Sequence, residues 1–163
     1  MKRLLIVWHS MTGGAALMAV AAAQAARSGA EVQVRCQRAV DTSADDVLSA
    51  DGYVFVTPEN LASMSGLMKD FFDRIYYSAL DRVNGRPCAL LVCAGSDGQG
   101  AVRQVQRICT GLRLKEVAPP TIVITHAQTP ERILAPKDIA EADLARCREV
   151  GAALAAGLAA GVF

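Results

Sequence analysis

The sequence is poor in several features that mark common classes of protein. Aromatic residues make up 5% of its 163 residues, and 17 basic residues are nearly balanced by 16 acidic ones. The basic residues are scattered, which argues against nucleic acid or an acidic membrane as the main partner, because both need a dense basic patch. No apolar run has the roughly 20 strongly hydrophobic residues of a membrane span, and no signal peptide is visible.

Cysteine does not occur in the number or spacing that structural sites require. The five cysteines are an odd number, and no Cys-x-x-Cys motif is present. A disulfide framework, a zinc site or another metal site is therefore not expected. The odd number without a pairing motif favours a reducing compartment, so we expect a cytoplasmic protein in which the cysteines are small buried residues. The cysteines are Cys36, Cys88, Cys93, Cys109 and Cys147.

Short apolar runs alternate with helical segments along the whole chain, whose length suits one domain, residues 1–163. Most of the runs are continuously apolar, which indicates a parallel sheet covered on both faces. We expect an α/β fold: a doubly wound, five-stranded parallel sheet of order 2-1-3-4-5 with helices on both faces. Predicted strands cover residues 3–8, 31–35, 52–57, 87–93 and 121–125, and predicted helices cover 13–28, 44–49, 66–77, a segment after Gly100, and a long segment from about 137 onward.

Three polar loops follow the first, third and fourth predicted strands. They are the first loop (Trp8–Gly14), the second loop (Thr57–Ser65) and the third loop (Ala94–Gly100). In an open parallel sheet, ligands bind beyond the carboxyl ends of the strands, where the strand order reverses. The expected topology brings all three loops to that point, so they predict a single site.

The first loop has the character of a phosphate site without a cation. Ser10 and Thr12 offer hydroxyl groups, and the following helix offers the unpaired N–H groups of its first turn. A nucleotide-triphosphate loop needs Gly-Lys-Ser/Thr, and a dinucleotide fingerprint needs Gly-x-Gly-x-x-Gly; neither follows the first strand. A single phosphate held by neutral donors remains, which flavin mononucleotide (FMN) would supply.

All three loops resemble those of flavodoxin-like NAD(P)H-dependent FMN and quinone reductases. Residues 9–14 are similar to the family's phosphate loop, Ser/Thr-x-Thr-Gly-x-Thr, residues 57–74 to its second flavin loop and helix, and residues 95–100 to its third. The resemblance implies a flavodoxin-like fold, bound FMN, and electron transfer from NAD(P)H to a quinone, flavin or similar small acceptor, without a dedicated catalytic acid or base. The residues it implies for FMN are His9, Ser10, Met11, Thr12, Gly13, Gly14 and Ala15 in the first loop, Pro58, Glu59, Asn60, Leu61, Ala62, Ser63 and Met64 in the second, and Ala94, Gly95, Ser96, Asp97 and Gly98 in the third.

The chain departs from the family's pattern at three places. Ala15 replaces the last threonine of the phosphate motif, which removes one hydroxyl donor and lowers the expected FMN affinity by about one or two decades. Ala62 stands where these reductases usually carry glycine, so a positive φ there would be disfavoured. Leu61 in the second loop, and Asp97 or Gln99 in the third, stand where electron-carrier flavodoxins hold aromatic residues around the flavin.

Other interpretations stay open beside the reductase. The chain could be a one-electron carrier, or a flavodoxin-like binding module that has lost FMN, for which Ala15 and Ala62 are the best arguments. Among similar reductases homo-oligomers are common, which makes Tyr76 and Tyr77 candidates for a subunit contact. His126 follows the fifth predicted strand on the side of the site, where we expect an ordinary loop residue.

Overall fold

The computed structural model describes residues 1–163 and contains seven β-strands and six α-helices. The core of the sheet is parallel, in the order β2-β1-β3-β5, with β6 and β7 both pairing with the outer edge of β5. The short β4 pairs with β3 and gives the one antiparallel pair. The strands are β1 (Lys2–Trp8), β2 (Val32–Arg38), β3 (Gly52–Asn60), β4 (Ser63–Met64), β5 (Pro87–Ala94), β6 (Lys115–Glu116) and β7 (Thr121–Ile124), and the helices are α1 (Gly14–Gly29), α2 (Ala44–Ser49), α3 (Gly66–Ala79), α4 (Gln99–Gly111), α5 (Pro130–Leu134) and α6 (Glu141–Ala160).

The doubly wound parallel sheet is confirmed, but the expected count of five strands needs amendment. The edge strand expected at residues 121–125 has a separate first part, β6, which pairs with the start of β5. Pro119 and Pro120 lie between the two parts. Because proline has no N–H to donate to a ladder, the edge is divided into β6 and β7. The other additional strand, β4, lies inside the second loop.

Successive side chains of the central strands point to opposite faces of the sheet, and both faces are buried. In β1, Leu5 and Val7 belong to one core cluster, and Leu4 and Ile6 belong to the other. Helices α2, α3 and α4 cover the first face, where the aromatic side chains of the core gather. Helices α1 and α6 cover the second face with mostly small side chains. Because both faces of the sheet are covered, the central strands are continuously apolar in sequence.

The segment before the last helix differs from its prediction. A helix was expected from about residue 137, but α6 begins at Glu141, and a separate short helix, α5, precedes it. Thr129 caps α5, and its side chain accepts a hydrogen bond from the Arg132 N–H. Ala135 is extended, as the residue before a proline usually is, so Pro136 ends α5 and the chain runs on without helical structure.

No helix of the structure is long and apolar enough to cross a membrane.

Candidate functional site

The three loops meet at the carboxyl end of the sheet around a cleft of about 300 Å³, a volume typical of small-molecule sites. Of the residues predicted for the site, the cleft is lined by Ser10, Met11, Thr12, Gly14, Ala15, Pro58, Glu59, Asn60, Leu61, Ala94 and Gly95. Outside its lining lie His9, Gly13, Ala62, Ser63, Met64, Ser96, Asp97 and Gly98. Sequence reasoning missed Cys93, Thr125, Ala127, Ile133, Leu134 and Lys137, which complete the lining.

The first loop leaves the N-terminus of α1 free of any side-chain cap. Gly13 is the N-cap residue, and its φ of 97° is a conformation that glycine adopts at little cost. Its N–H donates to the Ser10 Oγ over 3.0 Å, which folds the loop back on itself. The first-turn N–H groups of α1 therefore remain as donors at the positive end of a helix dipole, the arrangement that binds phosphate.

A cation from the far end of the sequence lies against this loop. The Lys137 N–H donates to the Thr12 carbonyl over 2.9 Å, and the Lys137 Nζ lies 3.2 Å from the Thr12 Oγ1. The loop itself contains no cation, as its sequence indicates, but the folded site does. No local pattern could reveal the pair, because 125 residues separate its two members.

The second loop forms a tight β-hairpin, the Glu59–Met64 hairpin. Asn60 pairs with Ser63, which leaves Leu61 and Ala62 as a two-residue turn. Both turn residues have positive φ, 51° and 59°, as both central residues of a type I′ turn do. Such turns favour Asn-Gly, so two residues with bulkier side chains place strain at the mouth of the cleft.

Hydrogen bonds connect the hairpin to helix α4. The Glu59 carboxylate accepts hydrogen bonds from the N–H groups of Gly98, over 2.8 Å, and Ala101, over 3.2 Å, at the start of α4. A negative charge is favourable there because it faces the positive end of the helix dipole. The Gln104 Oε1 accepts from the Ser63 hydroxyl over 2.7 Å and from the Met64 N–H over 3.2 Å. The Glu59 carboxylate therefore anchors the second loop to the third.

A buried chain of polar groups links the first loop to the start of α3. The His9 Nδ1 and the Ser65 Oγ are 2.8 Å apart, and the Ser65 N–H donates to the Thr57 Oγ1 over 3.2 Å. Ser65 and Thr57 are fully buried. Burial lowers the pKa of His9, so the neutral ring predominates at neutral pH and its Nδ1 can accept the Ser65 proton. His9 therefore connects the first loop to the start of α3 and does not line the cleft.

The lining of the cleft contains one thiol, that of Cys93. Burial raises the pKa of the Cys93 thiol to about 11, and the nearby Lys137 only partly opposes this rise, so the thiol stays protonated and unreactive at neutral pH. All five cysteines are free, and no group of three or more His, Cys, Asp or Glu side chains is placed to hold a metal ion. His126 is exposed, has a φ of 57°, and lies outside the lining.

The sequence is similar to that of known proteins. The profile of the family described as NADPH-dependent FMN reductase matches residues 37–129, more than half of the chain and including both the second and the third loop. A flavodoxin of Aquifex aeolicus is 30% identical over 100 residues, which cover 61% of this chain and 54% of the relative. An NAD(P)H dehydrogenase (quinone) of Acidithiobacillus ferrooxidans is 32% identical over 94 residues, which cover 45% and 47%.

The chain thus spans about half the length of these two relatives. Among solved structures, a flavodoxin from the domain Archaea superposes with a TM-score of 0.77 at 18% identity, covering 96% of this chain and 98% of that one. This likeness confirms the flavodoxin-like fold. Because the family profile spans more than half of the sequence, the resemblance stated from the three loops is also confirmed: the chain belongs to the NADPH-dependent FMN reductase family.

Proposed function

We propose that this protein binds FMN in the three-loop cleft and passes electrons from NAD(P)H to a quinone, a flavin or a similar small acceptor. The observation that carries the proposal is the meeting of an uncapped helix N-terminus with the second and third loops around one cleft. The residues present fit FMN: a helix end and hydroxyl groups for its phosphate, and neutral loop backbone for its ring.

Each loop has a separate task in this proposal. Ser10, Thr12 and the first turn of α1 hold the phosphate; because the Thr12 Oγ1 accepts from Lys137, its own proton remains available to an anion. The hairpin and the third loop flank the ring, and their backbone N–H groups stabilise negative charge on it. FMN, when bound, supplies the hydride and electron chemistry for which the chain has no side chain of its own.

The absence of aromatic side chains from the cleft favours a reductase over a carrier. None of the lining residues is Phe, Tyr or Trp, and Leu61 at the mouth is fully exposed. A ring face without an aromatic cover is accessible to a nicotinamide and then to an acceptor. The flavodoxin relative supports the second candidate, a one-electron carrier.

Titration of the purified protein with FMN, followed by flavin fluorescence, tests cofactor binding. We expect quenching, and weaker binding by Thr12→Val, while the matched Thr110→Val on the far end of α4 leaves the affinity unchanged. NADPH and NADH oxidation with a soluble quinone then separates the two redox functions. A rate no faster than that of free FMN would support the carrier, and a protein that neither quenches FMN nor is coloured would contradict both.

A further inference from the structure

We propose that Lys137 is the cation of the phosphate subsite and makes the cleft selective for a phosphorylated flavin over an uncharged one. This inference rests on the proposed function, because it concerns the same cleft. It goes beyond the sequence motif, in which the phosphate is held by neutral groups of a single loop.

The ammonium group of Lys137 has only neutral partners. It lies 2.8 Å from the Ile133 carbonyl oxygen, 2.5 Å from the Ala135 carbonyl oxygen and 3.2 Å from the Thr12 hydroxyl oxygen. The structure contains eight ion pairs, and Lys137 takes part in none of them. The three donors are therefore satisfied, but the positive charge is not compensated.

This charge lies beside the positive end of α1. The residue is packed against the start of the helix, since a Cβ added to Gly14 would lie 3.3 Å from the Lys137 Cβ. Its backbone N–H is fixed on Thr12, so the side chain is held over the first loop rather than being free in solvent. Two adjacent sources of positive potential repel each other when no anion is present, and a bound anion is attracted by both.

The position of Lys137 also bears on the missing threonine at residue 15. Ala15 lines the cleft but its methyl group cannot donate a hydrogen bond. The three N–H donors of the ammonium are on Ile133, Ala135 and Thr12, but its positive charge acts on an anion without a direct hydrogen bond. The charge of Lys137 can therefore compensate for the lost hydroxyl donor, and the chain would bind FMN more tightly than its loop motif alone indicates.

The alternative is that Lys137 only fastens the segment around α5 to the first loop. In that case its loss would weaken the binding of every flavin by a similar factor, because the whole wall of the cleft would loosen. A phosphate contact instead affects only flavins that carry a phosphate. FMN and riboflavin share the same ring and ribityl chain, so the comparison of the two isolates this contact.

The test measures dissociation constants of FMN and riboflavin by fluorescence quenching for the wild-type protein, Lys137→Met, Lys137→Arg and the control Lys115→Met, an exposed lysine of β6. We expect Lys137→Met to weaken FMN binding by about tenfold or more and riboflavin binding by less than about twofold. Lys137→Arg should retain most of the FMN affinity, and Lys115→Met all of it. Added salt should weaken FMN binding by the wild-type protein more than by Lys137→Met.

Two results would overturn the inference while leaving the proposed function intact: unchanged FMN affinity in Lys137→Met, or equal losses for FMN and riboflavin. Thermal denaturation of each variant shows whether the fold is retained. If the wild-type protein bound neither flavin, the proposed function itself would be wrong, and the inference would fail with it.

Discussion

The first loop and the Glu59–Met64 hairpin both line the cleft and reach left-handed backbone geometry in different ways. The first loop uses glycine, Gly13, where its φ is positive. The hairpin uses Leu61 and Ala62, for which a left-handed conformation costs roughly 1–2 kcal/mol per residue. The conformation of the first loop is therefore encoded locally, whereas that of the hairpin must be imposed from outside.

Helix α4 is the element that imposes it. Glu59 and Gln104 bind the two strands of the hairpin to the helix, and Gly100 lets the helix backbone approach the turn closely. These contacts offset the strain of the turn, so the hairpin and the third loop behave as one unit. Four predictions test this difference between the two loops, from the largest expected effect to the smallest.

Gly100→Ala should have the largest effect. A Cβ at this position would lie 2.0 Å from the Ala62 carbonyl oxygen, so either the helix or the strained turn must move. We expect a loss of about 3 kcal/mol in the free energy of unfolding, measured by urea denaturation. Gly66→Ala is the matched control, because its Cβ would meet nothing within 4 Å and alanine favours a helix. Equal stability of the two variants would contradict a close fit between α4 and the hairpin.

Glu59→Gln should have the next largest effect. Gly98 and Ala101 donate to different oxygens of the Glu59 carboxylate, and in glutamine one of these oxygens becomes an NH₂ group, which cannot accept. The negative charge at the start of α4 is lost as well. We expect roughly 1–2 kcal/mol of destabilisation in the same assay. Glu31→Gln, an exposed glutamate before β2, should be neutral. A neutral Glu59→Gln would mean that the carboxylate does not anchor the hairpin.

Ala62→Gly should stabilise the protein, by about 1 kcal/mol, because glycine removes the cost of a positive φ. The same substitution in a right-handed helix has the opposite sign: Ala156→Gly, on an exposed position of α6, should destabilise by roughly 0.5–1 kcal/mol. Urea denaturation of the pair checks both signs. Destabilisation by Ala62→Gly would show that the turn is not strained.

The pH dependence of stability should show the smallest effect. Burial lowers the pKa of His9 from its ordinary value of 6.5, so on acidification the unfolded chain binds this proton before the folded protein does. The contribution of neutral His9 is present above pH 6.5 and is lost as the pH falls through the lower folded-state pKa. Unfolding of the wild-type protein and His9→Gln between about pH 8 and about pH 5.5 should therefore give a steeper acid decline for the wild type. Parallel stability profiles of the two proteins would show that protonation of His9 does not contribute to the acid decline.

The parts of the structure that the sequence predicted are those whose signals are local. Ser43 and Asp46 have the spacing of a capping box, a local signal for a helix start. The structure contains this box before α2, since Ser43 Oγ accepts from the Asp46 N–H and the Asp46 carboxylate accepts from the Ser43 N–H. The apolar runs predicted the central strands for the same reason. Their order came from the doubly wound topology expected of alternating strands and helices, and that topology brings the three loops together.

What the sequence could not predict depends on contacts between distant residues. Leu61-Ala62 carries none of the Asn-Gly signal of a two-residue turn, because α4 rather than turn propensity determines its geometry. Lys137 reaches Thr12 only after the sheet is complete. Residue 137, where the last helix was expected to begin, instead has its N–H bonded to the Thr12 carbonyl of the first loop, and α6 begins only at Glu141.

The division of the outer sheet edge by Pro119 and Pro120 also matters for association between chains. A long, regular edge presents a continuous row of unpaired N–H and C=O groups, to which a strand of another molecule can add. Here β6 has two residues and β7 has four, and the residues between them do not extend the ladder. A second chain would find no continuous template along this side, so the two prolines disfavour edge-to-edge pairing at this edge of the sheet.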